Sequence, residues 1–114
     1  MDKEEVIKYW QETAKDALET AESLFQAGRY HHALFFAQLA MEKILKGLVL
    51  AKTEKSALPI HDLLRLSQQA SLNLSGGQSD SLIEISSFNI AARYDNVKRV
   101  FYHKATKEFA EKWL

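Results

Sequence analysis

Apolar residues recur at steps of three and four along most of this chain, and no segment alternates with period two, so the pattern predicts helices and no sheet. From Asp2 to Ala27, residues Val6, Trp10, Ala14, Ala17, Ala21, Leu24 and Phe25 make one stripe, and charged residues fill most of the remaining surface. Acidic residues lead this segment, as the helix dipole favours, and Gly28 stands at the C′ position. From Tyr30 to Lys52 the chain is apolar around most of a helical circumference, which is the signature of a helix buried on more than one side. A shorter stripe, Ile60, Leu63, Leu64 and Ser67, lies in the block Ile60 to Ala70, with His61-Asp62 at its start. A fourth block follows Gly76-Gly77, with Ser79 or Asp80 as the expected N-cap, and runs through Leu82, Ile85 and Phe88 to about Ala92. Arg93-Tyr94-Asp95-Asn96 reads as a break. Residues 97–102 combine helical spacing with β-branched and aromatic side chains, and the pattern leaves helix and loop both open there. A last amphipathic piece presents Ala105, Phe109 and Trp113 on one side. The expected fold is all-α: one domain, residues 1–114, built as an antiparallel up-and-down four-helix bundle with a short fifth C-terminal helix.

Composition narrows the chemistry. With 46% hydrophobic and 26% charged residues, the 114-residue chain has the balance of a folded soluble domain. There is no cysteine, which excludes disulfides, thiolate metal sites and a Cys nucleophile. Fifteen basic and fifteen acidic residues cancel, so no overall positive field draws in a nucleic acid duplex. The charged N-terminus lacks the apolar region of a signal peptide. The most apolar stretch, Ala33 to Ala51, is interrupted by Gln38, Glu42, Lys43 and Lys46, a polar load that a membrane-spanning helix does not carry. The expectation is a cytoplasmic protein with no membrane association.

Most standard sites are missing. Adjacent His31 and His32 diverge by about 100° on a helix and cannot chelate one ion. No Glu-x-x-His pair, phosphate-binding glycine loop or nucleophile elbow occurs, so neither metal nor cofactor is expected. Two features remain. Gln38, Glu42 and Lys46 lie at i, i+4 and i+8, a narrow polar row on an apolar helix. It is either a half-exposed edge that aids solubility or the lining of a cleft in which Glu42 meets Arg93. Arg93-Tyr94 is the second feature: a guanidinium suited to phosphate beside a ring suited to stacking on a base. Its plainer reading is a helix C-terminus with Tyr94 packed against it.

Residues 35–47, Phe-Phe-Ala-Gln-Leu-Ala-Met-Glu-Lys-Ile-Leu-Lys-Gly, resemble the A-Q-x-A-x-E-K-x-L-K-A helix of HEPN domains. His61-Asp62-Leu63 resembles the H-x-L that opens their third helix, and Ala92-Arg93-Tyr94 their A-R-Y-P, with Asp95 in place of Pro. The resemblance implies a four-helix bundle that forms homodimers, binds a nucleotide or RNA, and works beside a minimal nucleotidyltransferase as a toxin–antitoxin pair or accessory subunit. It points to a ligand site of Gln38, Glu42, Lys46, His61, Arg93 and Tyr94. Ribonuclease members of the family carry Arg followed after four to six residues by His. Here nine residues separate Arg93 from His103 and three separate Arg99 from His103, so the cleaving motif is not matched. Arg93 and His103 remain the candidates for catalysis. The leading expectation is therefore a binding module. The alternatives are a metal-independent ribonuclease using Arg93 with His103 or His61, and a structural adaptor in which Glu42 and Lys46 are exposed.

Dimerisation is also expected from the residues themselves. The second helix has apolar side chains on more faces than its neighbours in a short bundle can cover, and Ile7, Tyr9 and Leu18 lie outside the first helix's main stripe. A two-fold contact with a second copy would bury that surface, and a shared cleft with two Arg93 side chains would then become possible; the alternative is that the connection from Thr53 to Pro59 and the C-terminal helix cover the patch within one chain.

Overall fold

The computed structural model describes residues 2–91 and 103–114. Those residues form five helices: α1 (Lys3–Gln26), α2 (Tyr30–Thr53), α3 (Leu63–Gln69), α4 (Gly76–Ala91) and α5 (Lys107–Trp113). No strand occurs among the described residues. The fold is the expected all-α bundle with a short C-terminal helix. Among the described residues no helix is long and apolar enough to cross a membrane. Arg93, Tyr94 and the open segment 97–102 lie outside the described residues.

The hairpin of α1 and α2 is set by its turn and by small side chains. The Asp2 carboxylate caps α1 by accepting from the Glu5 N–H at 2.8 Å. At the other end Gly28 takes φ 78°, and the Arg29 and Gly28 N–H groups close back on the Leu24 and Phe25 carbonyls. This is the Schellman pattern, which needs a residue without a Cβ penalty at C′. The chain then reverses into α2, and an exposed ion pair of 3.0 Å joins Lys3 to Glu54 at the open end. Ala14, Ala17 and Ala21 of α1 are buried, as are Ala33, Ala40 and Gly47 of α2, which follow one another at steps of seven. Short side chains let the two backbones approach closely. Contact is tightest at Gly47, where an added Cβ would sit 3.1 Å from Trp10 Cβ.

α2 is the hub of the bundle. α1 packs extensively on α2 alone, while α3, α4 and α5 pack on other parts of it. Two apolar clusters hold those helices in place. One joins Leu34 of α2 to Phe88 of α4 and Ala110 of α5, with Phe109 and Trp113 edge-on to the Phe88 ring at 6.0 and 5.9 Å. The other joins Leu45 to Leu63 and Leu66 of α3 and Leu82 of α4. Ile85 packs against both.

Two helix ends differ from the expectation. α4 starts at Gly76, because Ser75 Oγ accepts from the Gln78 N–H at 3.1 Å while Gln78 Oε1 accepts from the Ser75 N–H at 3.0 Å. This reciprocal capping box displaces the cap from Ser79 or Asp80 and draws both glycines into the helix. α3 ends in a second Schellman turn, with Leu72 N–H bonded to Ser67 C=O, but its C′ residue is Ser71 at φ 57°. A side chain in the left-handed region is strained.

Two substitutions test this packing by urea unfolding. Ser71→Gly relieves the left-handed strain and raises stability by about 0.5–1 kcal/mol. Gly47→Leu drives a branched side chain into Trp10 and lowers stability by about 2 kcal/mol or more.

Candidate functional site

Between the two apolar clusters, α2 turns Gln38 and Glu42 inward. Both residues are buried, at 0% and 4% exposure. The row that begins at Gln38 is thus not a wetted edge. The Lys46 side chain is 12% exposed and that of Glu42 6%. An ionised carboxylate in such a place survives only if it is surrounded by donors.

Among the described residues the fold supplies three. Gln38 Nε2 donates to Glu42 Oε1 at 3.0 Å, Lys46 Nζ donates to Oε2 at 3.0 Å, and His61 Nδ1 lies 2.8 Å from Oε1. Gln38 and Lys46 flank Glu42 by one helical turn on either side, so the sequence spacing alone delivers them. His61 arrives from the connection before α3. Asp62 caps α3 by accepting from the Arg65 N–H at 3.1 Å, and Leu63 N–H donates to Ser86 Oγ of α4 at 2.9 Å. These bonds hold the residue before the cap against α2. The Gln38 amide is oriented from its other end by Asn89 of α4, whose Nδ2 donates to Gln38 Oε1 at 3.3 Å.

Burial by itself would push the Glu42 carboxyl upward. The hydrogen bonds from Gln38, His61 and Lys46, together with the Lys46 charge, outweigh it and hold the group below the ordinary carboxylate range. A carboxylate only accepts, so the proton on His61 Nδ1 points at Glu42 and the imidazole is fixed in orientation. The His61 side chain is 44% exposed, and through it the buried network reaches the surface. On the flank of the site the ammonium groups of Lys43 and Lys46 sit 5.5 and 5.8 Å from the centre of the Trp10 ring, within cation–π range.

A model of the HEPN domain matches residues 7–114. The chain belongs to the HEPN family. The crystal structure of TT1696 from Thermus thermophilus superposes on it with a TM-score of 0.77 at 27% identity, covering 94% of this chain and 86% of that one. No curated protein sequence matches the chain.

Of the HEPN site residues expected from the sequence, Gln38, Glu42, Lys46 and His61 converge. Arg93 and Tyr94 fall outside the described residues, so their meeting with Glu42 does too. His103 is exposed and adjoins Lys104, which bonds Glu84 at 3.0 Å. Adjacent His31 and His32 bring their ring centres within 3.9 Å, with the ring planes tilted by 38°. Among the described residues no three His, Asp or Glu side chains gather as a metal-binding group. Asn89 is the member that the sequence reading missed. Its signal was present: it stands seven residues after Leu82 and four after Ile85, on the stripe that α4 turns to the core.

The pH dependence of stability tests the network. The carboxyl of Glu42 is depressed in the folded state, so its contribution is complete above its unfolded pKa and is lost as pH falls through the folded one. Glu42→Gln costs about 2–4 kcal/mol at neutral pH, because it leaves Lys46 without its counter-charge. In urea unfolding at stepped pH, that difference shrinks as pH drops below the carboxylate range. A difference independent of pH would show that Glu42 is not ionised in the fold.

Proposed function

We propose that this HEPN protein is a cytoplasmic homodimeric binding module, which takes a nucleotide or a minimal nucleotidyltransferase partner at the face where His61 opens. In the family context this fits one half of a toxin–antitoxin pair or an accessory subunit. The reading is carried by one observation: a polar network is buried in an apolar helix and includes a half-exposed imidazole whose Nδ1 is held by Glu42. Networks of this kind fix the geometry of the group they end on, at a cost that a purely structural core avoids. The adaptor alternative needs Glu42 and Lys46 exposed and replaceable, and both are largely buried. Arg93 and Tyr94 are assigned to the same site on the family motif, as the phosphate and base contacts.

Metal-independent cleavage of RNA is the second reading. It is favoured by the 2.8 Å contact of Glu42 with His61, since a carboxylate-held imidazole is a competent proton acceptor. The spacing of Arg93 and Arg99 from His103 speaks against it.

Calorimetric titration of nucleoside phosphates separates the readings. Wild type binds, and Arg93→Ala and His61→Ala each weaken binding by about tenfold, the loss of one charge-assisted hydrogen bond. Equal affinity in all three proteins, or none in wild type, removes the nucleotide reading. Cleavage of single-stranded RNA in EDTA that is lost in His61→Ala establishes the enzyme instead.

A further inference from the structure

On the side of α2 away from Glu42, the described residues cover an apolar face only in part. Ala37, Met41, Ile44, Leu48 and Ala51 follow one another at steps of four, three, four and three, the spacing of a helix–helix seam. None of the five is buried, and Ile44 is 44% exposed. α1 borders the seam on one side and α4 on the other. Ile44 therefore stands as a ridge between two grooves. The α1 groove, about 340 Å³, is lined by Ile7, Leu18, Ile44 and Leu48 among others. The α4 groove, about 600 Å³, is lined by Met41, Ile44, Leu48 and Leu74 among others.

We infer that this face is where a second copy of the chain docks, with α2 antiparallel to the partner's α2 across a two-fold axis near Ile44. The inference rests on the homodimer reading and adds the surface and its register. Three observations support a second copy as the occupant. The seam is nearly palindromic: about Ile44, the large residues Met41 and Leu48 lie three before and four after, and Ala37 and Ala51 lie seven to either side. A two-fold axis thus sets Met41 against a Leu48 and each Ala37 against an Ala51. A ridge flanked by two grooves is self-complementary, because each copy's ridge enters the other's groove, as an isologous contact requires. The size is of the same order as such a contact needs. Paired antiparallel about Ile44, the two copies of α2 overlap over residues 35–53, about 28 Å at 1.5 Å per residue, and two interhelical spacings make the face about 18 Å wide, a footprint of about 500 Å² before side-chain relief. A standard interface buries about 800 Å² on each partner.

The placement has a consequence for the site. Glu42 and Ile44 are about 200° apart around α2, so this pairing puts the two Glu42–His61 clusters on outer faces, one per protomer, and not in a shared cleft.

Because the chain contains no cysteine, single-cysteine variants report the contact directly. Wild type at micromolar concentration sediments as twice 13.0 kDa. Under mild oxidation Ile44→Cys links to its own copy about tenfold faster than the exposed Lys8→Cys, since a disulfide needs its two backbones within about 7 Å. Ala37→Cys and Ala51→Cys link as a mixed pair, whereas Ala51→Cys alone does not, its two copies lying about 21 Å apart along the antiparallel helices. Circular dichroism confirms that each variant keeps the helical fold. A wild type that stays at 13.0 kDa overturns this surface and the homodimer reading together. A wild-type dimer in which Ile44→Cys links no faster than Lys8→Cys overturns the surface alone, and a self-link at Ile44 without the mixed link overturns the antiparallel register.

Discussion

A negative charge buried in the most apolar helix of the chain constrains much of what surrounds it. Glu42 lies between two hydrophobic clusters, and desolvation of its carboxylate opposes folding unless donors replace the lost water. Two of those donors come from α2 itself. The third must be brought by another element, and His61 comes because α3 is capped by Asp62 and tied to Ser86 of α4. Asn89, also on α4, satisfies the carbonyl of Gln38. One buried charge thus couples the angle of α3, the rotation of α4 and the direction of an imidazole ring. A shift of α4 along α2 would break the Asn89 contact and the Ser86 contact together, so the network selects one packing among the several that apolar contacts alone would tolerate.

α2 meets three different demands around its circumference. Alanines and Gly47 face α1, where close approach of backbones is wanted. Large apolar residues and the Gln38–Glu42 pair face α3, α4 and α5. The seam centred on Ile44 faces outward. This division explains why the helix looks apolar nearly all round although its bundle neighbours cover only part of it. It also explains why α1, with its alanine stripe, can lie so near: Trp10 crosses at the one residue of α2 that has no side chain.

Much of this was legible in the sequence, and the failures have physical causes. The extents of α1 and α2 and the role of Gly28 follow from periodicity and from a left-handed turn that glycine alone meets without strain. The turn after α3 hid itself, because Ser71 holds the same left-handed conformation without the residue that advertises it. The start of α4 was misplaced because two glycines look like a loop; the Ser75–Gln78 box that turns them into a first helical turn is two weak signals that act only together. The polar row was found by its spacing, but i, i+4, i+8 is the same whether the row is wet or dry. Burial was decided by residues far away in sequence, His61 and Asn89, which no local pattern connects to Glu42.

The network's polarity bears on what the site can recognise. Lys46 is a cation in name only as far as a ligand is concerned, because its charge is matched by Glu42 at 3.0 Å and its ammonium is directed inward and toward Trp10. The matched pair contributes little net field at the surface. What the network exports instead is direction: an imidazole whose Nδ1 proton is committed to Glu42, so that ring rotation is suppressed. A phosphate would have to be met by a cation outside this pair, which is the part the family motif gives to Arg93. Direction from Glu42 and charge from another element are separable contributions, and evolution of the ligand contact could alter the second while the buried first, on which the packing of three helices depends, stayed as it is.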